Sequence, residues 1–417
     1  MEHSLKIIDI GTNGDGIARM QDGATVFVPF SAVGDIVMAD VQKEQDGQYR
    51  AKINFILLKS PDRATPPCRH FGVCGGCSLQ HLNEKAYRDF KVKSVTDVLE
   101  KAGITISEEI ETVFIPQGTR RRANFAARVA KGKAIIGFHE RKSASIRDVP
   151  DCLLITEEVR SVMERIRAYI PDIAGEGNKV DILIQCVNGM REVALTGKIA
   201  PGWEAQQALS DALRTLDLAR ISLRARDYEE YKIILEAKPY FVSFDSLFLN
   251  LAPGAFLQPS NEGQDVLTRC VIDGTGDASS VADLFCGNGT FTGPLMKNGR
   301  DVLAADFAPD AIEALKKAGV NAQLRNLFKN PLDLDELNGV ECVVLDPPRA
   351  GAKEQVSVMS ESSIPRIVYV SCNPQTFARD AAVLMGGGYE LVKLTIVDQF
   401  IWSPHTEVAA IFSLQKE

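Results

Sequence analysis

From about residue 251 the chain alternates short β-branched apolar runs with helical segments, and no other feature restricts the fold as strongly. The runs are Val281–Phe285, Asp301–Phe307, Ala322–Leu327, Cys342–Leu345 and Ile367–Ser371. Parallel strands need long crossovers, and helical crossovers cover both sheet faces, so the pattern predicts a doubly wound α/β sheet. In such sheets ligands bind beyond the carboxyl ends of the strands. The first strand ends in Asp283-Leu284-Phe285-Cys286-Gly287-Asn288-Gly289-Thr290, where two glycines let a ligand approach the backbone. The second ends in Asp306, at about the 20-residue separation of a ribose-binding carboxylate. No third glycine follows at the dinucleotide spacing, which favours a nucleoside such as S-adenosylmethionine over NAD.

The fifth strand runs Val368-Tyr369-Val370-Ser371 into Cys372-Asn373-Pro374, a turn. A lone cysteine is more often a small buried hydrophobe than a reactive group. Asp346-Pro347-Pro348-Arg349, closing the preceding strand, and Pro404-His405-Thr406-Glu407, just before the last, reverse that judgement. A cysteine, a carboxylate and a methyl donor suit methylation at a pyrimidine C5. Thiolate addition to C6 makes C5 nucleophilic, and a base then removes the C5 proton. Cys372 and Glu407 can fill these roles, with His405 as the competing base. Cytosine C5 shares this covalent logic, and a non-catalytic RNA-binding factor on the same scaffold is the competing class.

The amino-terminal 59 residues contain five strand-like runs, Leu5–Ile10, Gly16–Met20, Ala24–Pro29, Asp35–Val41 and Tyr49–Leu58, separated by turn formers such as Asp22-Gly23. They suggest a small β-barrel of the oligonucleotide-binding kind. A proline-rich hinge, residues 61–67, leads to Cys68, Cys74 and Cys77, spaced C-x5-C-x2-C around Gly75-Gly76, with Cys152 the best candidate for a fourth thiolate. Four thiolates suit structural zinc or an iron–sulfur cluster, and spacing does not choose between them. Asn83 caps a helix expected to reach Ala102. Residues 153–250 read as a mixed α/β layer, with Cys186, like Cys270 and Cys342 farther on, lying in apolar runs as core.

Net charge is −8, so any nucleic-acid site must be a local basic surface on an acidic body. Between Thr119 and Asp148 the chain carries nine cations against one acid: Arg120, Arg121, Arg122, Arg128, Lys131, Lys133, Arg141, Lys142 and Arg147. Phe125, Phe138 and His139 interleave with them, a composition suited to phosphate contact and base stacking. No apolar run is long enough to span a bilayer and no secretory leader is evident, so a cytoplasmic, reducing location is expected.

The set Leu284-Phe285-Cys286-Gly287-Asn288-Gly289-Thr290, Asp346-Pro347-Pro348-Arg349, Ser371-Cys372-Asn373-Pro374 and Trp402-Ser403-Pro404-His405-Thr406-Glu407 resembles the RNA uracil-C5 methyltransferases. The barrel resembles a TRAM domain, and the cysteine element resembles that family's iron–sulfur site. The resemblance implies that Cys68, Cys74, Cys77 and Cys152 hold a 4Fe–4S cluster. It further implies that Gln258, Phe285, Gly287, Gly289, Thr290, Asp306, Asn326 and Asp346 bind S-adenosylmethionine, with Cys372 as nucleophile and Glu407 as base. Arg120, Arg121, Arg122, Phe125, Arg141 and Lys142 are the expected RNA contacts. The expected architecture is a TRAM or OB-like barrel at 1–59, a cluster-bearing α+β central domain at 60–250 and a Rossmann-like class I methyltransferase domain at 251–417. The expected product is 5-methyluridine, in 23S ribosomal RNA sooner than in the tRNA T-loop, with no obligate protein partner.

Overall fold

A computed structural model describes residues 2–106 and 110–415. Contacts divide the chain into two compact units, each discontinuous in sequence. One contains Met1–Val98, Phe138–Arg147 and Phe400–Thr406; the other contains Leu99–Gly137, Asp148–Gln399 and Glu407–Glu417.

In the first unit β1 (Glu2–Ile10), β2 (Gly16–Arg19), β3 (Thr25–Val28), β4 (Ile36–Lys43) and β5 (Tyr49–Leu58) form a closed barrel in the order β1-β2-β3-β5-β4. Strict alternation sends Leu5, Ile7, Val26, Val28, Val37 and Ala39 into its interior. Closure leaves no free sheet edge. Asp35, fully buried, fastens the barrel to the following segment by accepting the Ala32 and Ser60 amides and pairing with Arg63 at 2.8 Å. Helix α1 (Glu84–Lys101) begins where expected, with the Asn83 side chain accepting the Ala86 amide at 2.8 Å.

In the second unit β6 (Glu111–Phe114) precedes a largely antiparallel layer. That layer comprises β7 (Arg122–Ala130), β8 (Lys133–His139), β9 (Ile146–Asp148), α2 (Glu157–Ile166), α3 (Ile170–Ala174), β10 (Lys179–Val187), β11 (Met190–Gly197), α4 (Trp203–Thr215), β12 (Arg220–Arg224) and β13 (Lys232–Glu236), its sheet ordered β13-β12-β11-β10-β7-β8-β9. A hairpin of β14 (Phe241–Phe244) and β15 (Leu247–Asn250) follows. The remainder is α5 (Asn261–Thr275), β16 (Ser280–Leu284), α6 (Thr292–Lys297), β17 (Asp301–Asp306), α7 (Pro309–Lys317), β18 (Asn321–Leu324), β19 (Cys342–Leu345), α8 (Lys353–Met359), β20 (Arg366–Ser371), α9 (Pro374–Gly386), β21 (Tyr389–Asp398) and β22 (Glu407–Leu414).

The resulting sheet is ordered β18-β17-β16-β19-β20-β22-β21-β6. Its reversal between β16 and β19 is the crevice where such folds bind ligands. Two features depart from the alternation read in the sequence. Strand β22 runs antiparallel between β20 and β21, so the wound sheet is not wholly parallel. Strand β6, from the segment assigned to the central domain, extends this sheet beside β21. Cys186, Cys270 and Cys342 are buried core, as expected.

The basic run is less open than its composition suggests. Phe125 is completely buried on β7 and cannot stack on a base, so it leaves the set of RNA contacts. Arg121 leaves it too: its guanidinium is buried, donating to the Gln258 carbonyl at 3.1 Å and to the side chains of Asn261 and Gln264. Its role is to fasten the segment before α5.

Candidate active site

Strand register brings the key side chains to one edge of the sheet. Leu284 is opposite both Ala305 and Leu345, and Leu345 is opposite Tyr369. The residues that follow, Phe285, Asp306 and Asp346, therefore leave the sheet together at its carboxyl edge. Ser371 is opposite Val408, which makes Cys372 and Glu407 the next facing positions. Because β22 is antiparallel, its first residue lies at the edge where the parallel strands end. The residue that opens one strand thus meets one that has just left another.

The Asp283–Thr290 loop is shaped for a ligand. Phe285 adopts φ +60°, a strained conformation for an aromatic residue, and its ring lies 5.4 Å from that of Phe328. The two glycines differ in role. A Cβ on Gly289 would meet Leu315 at 2.7 Å, whereas one on Gly287 would meet nothing within 4 Å. Gly289 therefore serves packing, and Gly287 leaves room. Asp306 accepts the Gly287 amide at 2.9 Å through one carboxylate oxygen and the Ala308 amide at 2.8 Å through the other, which fixes its orientation. Asn326 caps its own loop by accepting the Phe328 amide, and Thr290 is half-buried.

Asp283, which sequence reasoning did not single out, is fully buried at the base of this loop. One of its oxygens accepts the Thr292 hydroxyl at 2.6 Å, and the other has no hydrogen-bond partner. Burial pushes its carboxyl up to about 7. An orphaned buried oxygen beneath a glycine loop fits the amino group of a bound methyl donor. A charged residue inside an otherwise apolar strand was the available signal. Gln258 is buried, and its Oε1 accepts the Gln399 amide at 2.9 Å; no periodicity or motif marked Gln399.

The protonation of Cys372 and Glu407 is governed by burial. Glu407 is pushed up to about 7 by desolvation, with a hydrogen bond from Gln399 in opposition. Asp346 is held well above the usual carboxylate range by burial, then by Glu407, Asp283 and Asp306. Burial raises the Cys372 thiol, Glu407 and Asp346 raise it further, and Arg349 favours the thiolate. Proton loss from Cys372 is therefore easiest while the two carboxyls remain neutral. His405 is exposed and lies in the other unit.

Cys68, Cys74 and Cys77 are half-buried in the first unit, and Cys152 is buried in the second. The Gly75 amide donates to the His139 carbonyl and the Gly76 amide to Cys74 Sγ at 3.4 Å. Among the described residues no group of three or more His, Cys, Asp or Glu is gathered as a metal site. Arg122 lies 5.4 Å over the ring of Phe256 and donates to Gln185, while Arg141 and Lys142 pair with Asp15 and Glu44 in the first unit. Arg120 is half-buried, and its backbone bridges to Ile155 and Ser260. Among the described residues no helix is long and apolar enough to cross a membrane.

Known proteins are similar to this chain. Residues 326–415 match the tRNA (uracil-5-)-methyltransferase family model, and residues 4–53 match the TRAM domain. An uncharacterized RNA methyltransferase from Brucella suis biovar 1 is 34% identical over 98% of this chain and 97% of its own. The 23S rRNA (uracil(1939)-C(5))-methyltransferase RlmD of Shewanella amazonensis is 30% identical over 99% of this chain and 95% of its own. Among solved structures, the Pyrococcus abyssi tRNA (uracil-54, C5)-methyltransferase in complex with S-adenosyl-L-homocysteine superposes with a TM-score of 0.76. It is 25% identical, covering 98% of this chain and 99% of that one.

Proposed function

For a chain that belongs to the RNA uracil-C5 methyltransferases, we propose that Cys372 and Glu407 carry out S-adenosylmethionine-dependent methylation of a uridine C5 in RNA. The observation that carries this reading is the facing of Cys372 and Glu407 at the ligand-binding edge of the sheet. S-adenosylmethionine, when bound, supplies an electrophilic methyl group. The Cys372 thiolate adds to uracil C6, breaking the 5,6 double bond and leaving C5 nucleophilic. After methylation of C5, the Glu407 carboxylate takes the C5 proton. The C–H electron pair restores the double bond, and Cys372 departs as thiolate. Arg349 favours the thiolate at both ends of the cycle. Reaching C5 and C6 requires the base to be turned out of any stack.

Ribosomal RNA is the favoured substrate, supported by the full-length similarity to the 23S rRNA enzyme. Digesting tRNA and rRNA separately after methyl transfer would overturn that preference if only tRNA were labelled. Arg120 and Arg122 remain the proposed RNA contacts, whereas Arg141 and Lys142 are engaged by Asp15 and Glu44. A 4Fe–4S cluster on Cys68, Cys74, Cys77 and Cys152 is supported by cysteine spacing and family resemblance alone, and no step above depends on it. Protein purified without oxygen should carry iron and acid-labile sulfide; their absence removes the cluster.

The decisive test uses RNA containing 5-fluorouridine, from which fluorine cannot leave as a proton does. Wild type should stall as a denaturant-resistant adduct and Cys372→Ala should form none, with methyl transfer to ordinary RNA falling at least about a thousandfold. A wild-type protein that is folded and donor-bound yet forms no adduct would end the uracil-C5 reading.

A further inference from the structure

We propose that Gln185 is a positioning residue for RNA binding: oriented by the buried Glu192, it holds Arg122 with both terminal nitrogens free for an RNA phosphate. The proposal rests on the reading of Arg122 as an RNA contact.

Arg122, Gln185, Glu192 and Arg220 are directly paired across β7, β10, β11 and β12, so their side chains form one row on one face of the sheet. Three of them are closed to water, Gln185 and Glu192 at 0% exposure and Arg220 at 1%. Glu192 is fixed from the far end of the row. Its Oε1 accepts Arg220 Nε at 2.8 Å and the Gly254 amide at 3.0 Å. Arg220 in turn donates to the Leu251 and Ala252 carbonyls at 2.6 and 2.9 Å. The other oxygen of Glu192 accepts the Gln185 side-chain amide at 3.0 Å. A carboxylate only accepts, so the nitrogen of Gln185 must face Glu192 and its oxygen must face the other way. That oxygen accepts Arg122 Nε at 2.9 Å.

The row engages Arg122 through Nε alone. Among the described residues nothing hydrogen-bonds its two terminal nitrogens, a pair that can grip a phosphate bidentately. The Phe256 ring, 5.4 Å from the guanidinium, steadies the side chain from a second direction. An arginine held in this way has little freedom left to lose when RNA arrives. Without the Gln185 acceptor, RNA must order the side chain itself. Glu192 and Arg220 keep their hold on residues 251–254 through bonds that Gln185 does not make, so the loss falls on RNA affinity.

Gln185→Leu keeps nearly the same size and removes the acceptor. Tritium release from RNA tritiated at uracil C5 reports turnover and yields kcat and the KM for RNA and for S-adenosylmethionine. The RNA KM should rise about fivefold, with the other two constants as in wild type. In an Arg122→Ala background the same change should add nothing, because the side chain it positions is gone. An equal rise in both backgrounds, a raised KM for S-adenosylmethionine, a lowered kcat or an unmoved RNA KM would overturn the proposal. The shorter Gln185→Asn, which withdraws the acceptor, should give the same pattern and serves if Gln185→Leu does not fold. Arg122→Ala alone tests the underlying reading. If it leaves the RNA KM unchanged, Arg122 is not an RNA contact and the proposal falls with that reading; if it raises the RNA KM and Gln185→Leu does not, only the proposal falls.

Discussion

Glu407 carries a cost that its proposed role as base explains. Its carboxyl is held at about 7 against an ordinary 4.5, chiefly by burial. The folded protein therefore keeps a proton that the unfolded chain releases, and stability falls as pH rises from about 4.5 to about 7. The shift corresponds to about 3 kcal/mol lost above that window. Glu407→Gln should be the more stable protein at pH 8 by an amount of that order, with the difference closing near pH 4.5, as thermal melts at both pH values would read. The same shift governs activity with the opposite sign. A base must be ionised, so the proton-removal rate should rise about tenfold per unit below pH 7 and level off above it. Tritium release that was flat from pH 5 to 8 would exclude Glu407 as the titrating base.

At the scale of elements, helix α9 does more than follow Cys372. Its N-cap Asn373 and its Thr376 donate to the Arg349 carbonyl, and its Arg379 donates to that of Ala350. Asp380, fully buried, accepts the Tyr369 hydroxyl and the Ala352 amide, both at 2.7 Å. One helix thus joins the Asp346–Arg349 turn to the strand that Cys372 follows. Asp380→Ala strands two buried donors and should cost about 3 kcal/mol. Adduct formation should fall along with the melting temperature; a variant as stable as wild type would refute the clasp. The barrel strands and β16 to β20 were legible because their alternation, apolar runs and turn residues act locally, as in Leu5, Ile7 and the Asp22-Gly23 hairpin, whereas the strands of the central sheet were not resolved individually. Cys372 and Glu407 were legible as motifs, but their facing depends on β22 running antiparallel, a pairing that no local pattern records. The same holds for β6, whose partner β21 lies far along the chain, and for Arg121 and Phe125, whose composition spoke of RNA while packing turned them inward. Gln399 left no trace, since a single amide after a strand looks like any loop residue.

Over the whole molecule, a net charge of −8 means that RNA must be held against a repulsive background. If all nine cations between Thr119 and Asp148 met phosphates, the logarithm of affinity for single-stranded RNA would fall with log salt at a slope of about −6, at roughly 0.7 per contact. The structure removes several from that sum. Arg121 is buried among amides, Arg141 is paired with Asp15, and Lys142 is paired with Glu44. Arg50 shares Asp15 and Glu44 with them, so the acids are themselves doubly matched. Six cations remain, and the slope should be about −4. Arg122 can add stacking through its place over Phe256, a contribution that salt does not screen. Arg122→Ala should therefore weaken binding more at high salt than a change of slope by one contact predicts. Arg121→Ala should leave the slope unchanged and instead loosen the Gln258 segment. Equilibrium binding across a salt series would read these quantities together. A wild-type slope near −6 would mean that the ion pairs open on RNA and that the basic run acts as its composition first suggested.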